Sequence, residues 1–280
     1  IDISFTTLAC TNSSGTLGAA GATRVVRDFT NAPLSNTWYP IALANALAGR
    51  DLNDETATGG ADASEITATF NAALDDPNRE SDCLNGADWH YGTTSAPSGT
   101  ISFYDVVLHE IGHGLGVSSF ANMATGALLD GRDDVYTRLL EDNSAGITLD
   151  AASATDAQRS AAAVDDGDLV WSGAEVTAAT GFLTAGTVGS EALMYAPTTF
   201  RSGSSVSHFD TNLRPNELME PSYTANPRSD LTEGVSGTGI GLTIARDLAR
   251  QCGGELELEP CEPGACFVLT LPTQPAGDTP

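Results

Sequence analysis

The sequence contains no lysine: all 12 of its basic residues are arginine, against 37 Asp and Glu, and the formal net charge is −25. The absence of lysine excludes a Walker-type phosphate loop, a Schiff-base lysine and a Ser–Lys catalytic dyad, since each of these needs the lysine amine. The acidic balance also argues against a nucleic-acid interface, which needs many cations facing phosphates. We interpret the charge as that of a self-repelling surface rather than of a dedicated cation-binding one.

Long apolar runs are absent as well. No stretch of about 18 apolar residues occurs, so we expect no membrane-spanning helix. The opening IDISFTTLAC has neither the basic start nor the apolar stretch of a signal peptide, so we expect that this chain does not include a leader.

Cysteine is scarce, and none of the five cysteines forms a CxxC pair. Cys10 and Cys83 lie in polar, turn-rich contexts, and in an exported protein they would be suited to a disulfide that closes a long loop. Two free thiols are the alternative. The odd count leaves at least one thiol unpaired within the chain.

The first hundred residues have the pattern of a mixed α/β chain. We predict strands at 2–8, 23–29 and 65–70 from their composition and alternation. The stretch WYPIALANALAG predicts a helix, with Pro40 in its first turn and Gly49 as its stop. The sequence therefore favours an α/β (α+β) fold.

The composition shifts to small and acidic residues over 117–207, which we interpret as an elaborated insertion rather than a separate core. Within it we expect a helix at 132–141 and another after Thr155, which is a suitable N-cap. The stretches LVWSG and ALMYAP predict short strands.

The helical pattern at 104–116 carries an HExxH motif within HEIGHGLG. Residues four apart share one helix face, so His109 and His113 direct their imidazoles to one point, and Glu110 can reach a water on the same metal. A catalytic zinc needs three protein ligands and one open position. In the compact pattern HExxHxxGxxH the third ligand would be residue 119, which here is Ser119.

The third ligand must therefore come from elsewhere. Of the four histidines, His90 and His208 remain, and Glu141 is the best-placed glutamate. Gly116 follows the helix and can take a positive φ, which turns the chain sharply away.

Taken together, HEIGHGLG, the long insertion, SHFD and NELMEP resemble the leishmanolysin-type branch of the metzincin metallopeptidases. The resemblance covers residues 1–230, with the insertion at 117–207. It implies a zincin domain with a twisted mixed sheet, one catalytic Zn²⁺ and a protein or peptide substrate. The implied zinc ligands are His109, His113 and His208, the implied general base is Glu110, and the implied methionine turn is at Met219.

The mechanism implied by this resemblance starts from a zinc-bound water, whose pKa falls toward about 7 and whose proton Glu110 removes. Tyr223 is a weaker candidate for stabilising the oxyanion, because its spacing from Met219 does not match related cases. Asp210 is a candidate for orienting a ligand, and an ordinary solvated aspartate is the alternative.

Residues 231–280 have a different character. SGTGIGLTIARDLARQCGGELELEP…GACFVLTLP resembles the end of a sensor histidine kinase ATPase domain, in which a Gly-rich loop is followed by a helix and two strands. The upstream DxGxG loop, the asparagine-bearing helix and the phosphoacceptor helix of that family are absent. We therefore do not expect ATP binding. Two accounts of these residues are open: they are the remnant of a gene fusion or frame junction, or their helix packs on the peptidase part.

The sequence favours a zinc-dependent endopeptidase, secreted or periplasmic. Two alternatives remain open. One is a zinc protein without catalysis, against which Glu110 argues, since a structural site needs no base. The other is a nucleotide-binding signalling protein, suggested by residues 231–280.

Overall fold

A computed structural model describes residues 1–53, 63–75 and 82–224, and the backbone of two strands at 255–260 and 265–270. Within these parts the fold is α+β, as predicted, with four helices and several small sheets. No helix among the described residues is long and apolar enough to cross a bilayer.

The elements follow one another in a mixed order. The helices are α1 (Ile41–Ala48), α2 (Phe103–Leu115), α3 (Asp156–Ala162) and α4 (Ala174–Ala179). The strands are β1 (Asp2–Thr6), β2 (Gly18–Ala22), β3 (Val25–Val26), β4 (Tyr39–Pro40), β5 (Ile66–Asn71), β6 (Asp88–His90), β7 (Thr100–Ser102), β8 (Leu140–Asp142), β9 (Ile147–Thr148), β10 (Leu169–Trp171), β11 (Thr187–Val188), β12 (Glu191–Leu193), β13 (Glu255–Pro260) and β14 (Ala265–Thr270).

A three-stranded sheet of order β1-β5-β2 supports the HExxH helix. Strand β1 runs parallel to β5, and β2 runs antiparallel to it at the other edge. Helix α2 packs across β2 and β5. A Cβ on Gly114 would overlap the side chain of Ile66, so the glycine permits this close approach of helix and sheet.

The sequence did not predict β2. Its segment GAAGA lacks the β-branched and aromatic residues that favour strands. It is extended because its backbone pairs with β5 over the whole strand, from Gly18 opposite Phe70 to Ala22 opposite Ile66. Tertiary pairing outweighs the weak local preference here.

The segment 117–207 folds around a second sheet, which is antiparallel and has the order β11-β12-β10-β8-β9. Its apolar side chains join those of α1 and of the segment after residue 207 in the larger hydrophobic core. The segment is therefore not a separate core, as predicted. The largest fully buried members of this core are Trp171, Tyr39, Tyr136, Phe209, Leu140, Leu149, Leu169, Met194 and Leu213.

The predicted helix limits agree with the structure at two sites. Pro40 directly precedes α1, and Gly49 ends it at a φ of 63°. Thr155 caps α3 through its side chain, which accepts a hydrogen bond from the backbone N–H of Gln158. Both signals depend on local backbone geometry, which is why sequence alone identifies them.

The predicted helix at 132–141 is wrong. The segment contains one 3₁₀ turn, Thr137–Leu139, and then enters β8. The buried Asp134 carboxylate accepts hydrogen bonds from the backbone N–H groups of Tyr136 and Thr137. A side chain that takes backbone donors in this way competes with helix formation.

Beyond residue 224, β13 and β14 form an antiparallel hairpin with Glu255 opposite Thr270. This agrees with the two strands predicted there. The predicted Gly-rich loop and helix of the same stretch, at 235–252, lie outside the described residues.

The predicted disulfide is present. Cys10 and Cys83 are bonded, with their Cα atoms 5.3 Å apart and a sequence separation of 73. The bond ties the loop after β1 to the turn before β6. It constrains a long segment of the unfolded chain, which includes β2 and β5.

We expect the Cys10→Ala/Cys83→Ala variant to unfold more easily, by about 4 kcal/mol on the loop-entropy estimate for this separation. Urea unfolding of parent and variant measures the difference. A reductant should lower the stability of the parent and leave the variant unchanged. Equal stability of parent and variant would contradict the expectation.

Candidate metal centre

The structure brings His109, His113 and His208 together. Their three Nε2 atoms lie 3.1 to 3.2 Å from one another. The rings of His109 and His113 project from one face of α2, and His208 approaches from the segment after the insertion. Among the described residues, these three form the group of side chains that could hold a metal ion.

The hydrogen bonds of the rings fix which nitrogen carries the proton. His109 Nδ1 lies 2.7 Å from the carbonyl oxygen of Leu218, His113 Nδ1 lies 2.7 Å from that of Val117, and His208 Nδ1 lies 2.8 Å from that of Ser204. A carbonyl only accepts, so each Nδ1 donates and each neutral ring presents the Nε2 lone pair. Three lone pairs therefore point at one another.

Burial keeps these imidazoles neutral. It lowers the pKa of His109, and burial together with the charge of His109 lowers the pKa of His113 to about 3. Burial and the other two rings place the pKa of His208 well below its ordinary value. Neutral imidazoles are the form that coordinates metals.

The spacing of the nitrogens fits a metal ion. Zinc–nitrogen bonds of about 2.0–2.1 Å in a tetrahedral arrangement hold their nitrogens about 3.3–3.4 Å apart. The observed 3.1 to 3.2 Å is close to this value. Converging lone pairs repel one another unless a cation lies between them, so the donor set itself fits a bound metal.

Both ends of helix α2 are fixed by its capping residues. Ser102 caps it by accepting a hydrogen bond from the backbone N–H of Asp105 at 3.2 Å. Gly116 ends it with a φ of 123°, a conformation that suits glycine, as predicted. This turn brings the Val117 carbonyl back onto the ring of His113, so the glycine also orients a ligand.

The loop before His208 lies against the start of the insertion. The backbone N–H of Ser119 donates to the hydroxyl of Ser207 at 3.4 Å. Ser119 occupies the third-ligand position of the compact pattern, and Ser207 directly precedes His208. The insertion thus begins and ends beside the same ligand position.

Glu110 lies between α2 and strand β2. Its carboxylate accepts a hydrogen bond from the backbone of Ala20, and burial raises its pKa to about 7. A Cβ on Gly18 would lie 2.9 Å from Glu110 Oε1. The small residues of β2 therefore leave room for this carboxylate beside the histidines, a relation that the sequence offered no signal to predict.

Met219 packs beneath the helix. It is buried, and a Cβ on Gly112 would lie 2.9 Å from its sulfur. Its backbone oxygen accepts a hydrogen bond from the N–H of Phe209 at 3.0 Å, while the preceding residue, Leu218, orients His109. The role that the resemblance implies for Met219, a methionine turn beneath the metal, stays a prediction.

Two weaker candidates have other positions. The hydroxyl of Tyr223 accepts the backbone N–H of Ser102 at 3.1 Å, at the start of α2 and about 10 Å along the helix from His109. It is therefore not placed for oxyanion stabilisation. Asp210 is buried and accepts the N–H of Asn212 at 2.8 Å, so the Ser204 carbonyl, not Asp210, orients His208.

The alternative ligands lie elsewhere. His90 belongs to β6, beside Trp89 and Gly92, and Glu141 belongs to β8 in the antiparallel sheet. Neither belongs to the group of three histidines. Of the three candidates that the sequence left open, His208 is the one that the structure places beside His109 and His113.

Comparison with known proteins gives a short match. Over 48 residues the chain is 52% identical to the sensor protein kinase CarS of Pseudomonas aeruginosa. The matched stretch makes up 17% of this chain and 11% of CarS. The chain therefore spans about a tenth of the length of this curated relative. No family model and no solved structure matches the chain. The comparisons thus give a short match to a histidine kinase and no support for the metzincin resemblance.

The buried histidines make the metal-free protein sensitive to acid. Their pKa values are lowered on folding, so the unfolded chain binds more protons than the folded protein below about pH 6.5. The free energy of unfolding therefore decreases as the pH is lowered. Glu110, with its raised pKa, acts in the opposite direction. We expect His208→Gln to reduce the slope between pH 6 and 5 by about 1.4 kcal/mol per pH unit.

Urea unfolding of chelator-treated parent and variant at each pH measures this slope. The difference between the two proteins removes the contribution of Glu110 and of other carboxyls that both share. Parallel pH profiles would contradict the expectation that His208 is buried in its neutral form.

Proposed function

We propose that the protein is a zinc-dependent endopeptidase of the metzincin type, with Glu110 as general base. The observation that carries the proposal is the convergence of three imidazole nitrogens within 3.1 to 3.2 Å. Glu110 directly follows the ligand candidate His109 on α2. A structural zinc site fills its fourth position with a protein ligand. Among the described residues the group of possible ligands contains three histidines and no fourth side chain, so a fourth position would stay open for water. Glu110, on the same helix, would be the base.

In this proposal each residue of the site has one role. His109, His113 and His208 hold the ion through Nε2, and their Nδ1 hydrogen bonds keep the rings oriented. When bound, zinc supplies Lewis-acid activation of a water and of the substrate carbonyl. Glu110 accepts the proton of the attacking water at its carboxylate and passes it to the departing amine.

Strand β2 supports a peptide as the substrate. Among the described residues it pairs only with β5, so backbone groups on its other side, apart from the one of Ala20 that bonds to Glu110, would be available to an extended chain. The carboxylate of Glu110 lies against this strand through the backbone of Ala20. A peptide aligned on β2 would carry its backbone past the base.

The domain organisation belongs to the same proposal. Residues 1–230 form the metzincin-like peptidase domain with its insertion at 117–207, and residues 231–280 form a kinase-like tail without the parts that bind ATP. Export to the periplasm or outside the cell is supported by the disulfide between Cys10 and Cys83.

We expect the parent to hold one equivalent of zinc and to cleave a denatured protein substrate. Glu110→Gln should retain the zinc and lose cleavage by at least 100-fold, since it removes the base and keeps the ligands. His208→Ala should lose most of the zinc. Metal analysis and a fluorogenic peptide assay measure both effects.

These outcomes distinguish a zinc endopeptidase from a zinc protein without catalysis. Zinc in the parent without cleavage of any substrate would favour a zinc protein without catalysis. Cleavage that persists in Glu110→Gln would remove Glu110 as the base. A parent without bound zinc after expression in zinc-containing medium would overturn the proposal.

A second candidate function is nucleotide binding, which the 48-residue match to a sensor protein kinase favours. We expect no saturable binding of a fluorescent ATP analogue up to millimolar concentration, because the adenine-contacting and magnesium-placing parts of that family are missing from the sequence. Titration with and without Mg²⁺ measures this. Saturable micromolar binding would restore the signalling alternative.

A further inference from the structure

The loop that delivers His208 contains an unusual backbone conformation. Val206, two residues before the ligand, has a φ of 74° and is fully buried. A β-branched residue in the left-handed region is sterically disfavoured, and such conformations persist only where the surroundings enforce them. The turn at Val206 directs the chain so that the ring of His208 returns over the loop to the carbonyl of Ser204.

Two hydrogen bonds enforce this turn. The hydroxyl of Tyr136 donates to the carbonyl oxygen of Val206 at 2.9 Å, and the N–H of Val206 donates to the carbonyl of Tyr195 at 2.7 Å. Tyr136 is fully buried and packs on Trp171, with ring centroids 4.9 Å apart. Its hydroxyl is therefore held in place by the core of the insertion.

We propose that Tyr136 is a positioning residue for the third metal ligand. Its hydroxyl holds Val206 in the left-handed conformation, and this conformation places the imidazole of His208 opposite those of His109 and His113. The metal affinity of the site thus depends on a tyrosine that touches neither metal nor substrate. The inference rests on the proposed function, since it assigns Tyr136 to the same metal site.

Replacing Tyr136 by Phe removes this hydrogen bond and keeps the ring. Without the restraint, Val206 can relax toward negative φ, and His208 then leaves its position. Partners that orient metal ligands typically contribute 10- to 100-fold to affinity, so we expect the zinc dissociation constant of Tyr136→Phe to rise at least about tenfold. Competition with a chromophoric chelator measures it.

The matched control is Tyr39→Phe. Tyr39 is also fully buried in the larger core, and its hydroxyl also bonds to backbone, accepting the N–H of Leu34 at 2.8 Å. Its hydroxyl bonds to Leu34, ahead of α1, whereas that of Tyr136 bonds to the loop of His208. We expect Tyr39→Phe to lower the free energy of unfolding and to leave zinc affinity within about twofold of the parent.

Cobalt substitution adds a readout that a purely structural role would not move. The visible absorption of bound Co²⁺ reports ligand number and geometry, and we expect it to change in Tyr136→Phe and to stay unchanged in Tyr39→Phe.

Glycine takes a positive φ without strain. Tyr136→Phe/Val206→Gly should therefore recover zinc affinity to within about threefold of Val206→Gly alone.

The outcomes distinguish this inference from the proposed function. A parent that binds one zinc, with Tyr136→Phe matching Tyr39→Phe in affinity and cobalt spectrum, overturns the inference alone. A parent that binds no metal overturns both. If Tyr136→Phe does not fold, Val206→Ala and Val206→Gly are compared instead. Glycine keeps the positive φ at residue 206 without strain, so the glycine variant should bind zinc more tightly than the alanine variant. Equal or tighter binding by the alanine variant overturns the inference.

Discussion

The site depends on one electrostatic constraint: three imidazole lone pairs meet at a point within the protein. Each ring is neutral, each Nδ1 is engaged by a backbone carbonyl, and the three Nε2 atoms lie 3.1 to 3.2 Å apart. Without a cation this arrangement is repulsive. The packing that enforces it therefore stores a cost that metal binding offsets, which is the physical basis for interpreting the cluster as a metal centre.

The same constraint links the metal to the base. Burial raises the pKa of Glu110 to about 7, so a good part of this carboxyl would be protonated at neutral pH. A protonated carboxyl cannot accept the proton of a water. A dication held by the adjacent histidines would lower the pKa of Glu110, because an opposite charge nearby favours the ionised form. In the proposed mechanism, a bound metal would therefore help to keep Glu110 in the ionised form that can accept a proton.

The sequence predicted those parts of the site that follow from local spacing. The helical face of His109 and His113 and the turn at Gly116 depend on backbone periods and on the freedom of glycine. It did not predict what depends on tertiary contact: the strand GAAGA beside Glu110, the carbonyls that orient the rings, and the position of Tyr223 at the start of α2. A backbone carbonyl has no sequence signature, and a strand of glycine and alanine forms only because β5 pairs with it.

The two ends of the insertion lie close together, so its great length is compatible with a third ligand that meets the helix again. Ser119 bonds to Ser207, and the Asp134 carboxylate binds the backbone N–H of Phe120, so the chain is held soon after it leaves α2 and again just before His208. The entropic cost of closing a loop grows only with the logarithm of its length. What matters is the rigidity of the closure, and the core around Tyr136 supplies it. The folded insertion therefore stands where the compact pattern has only two residues between Gly116 and the third ligand.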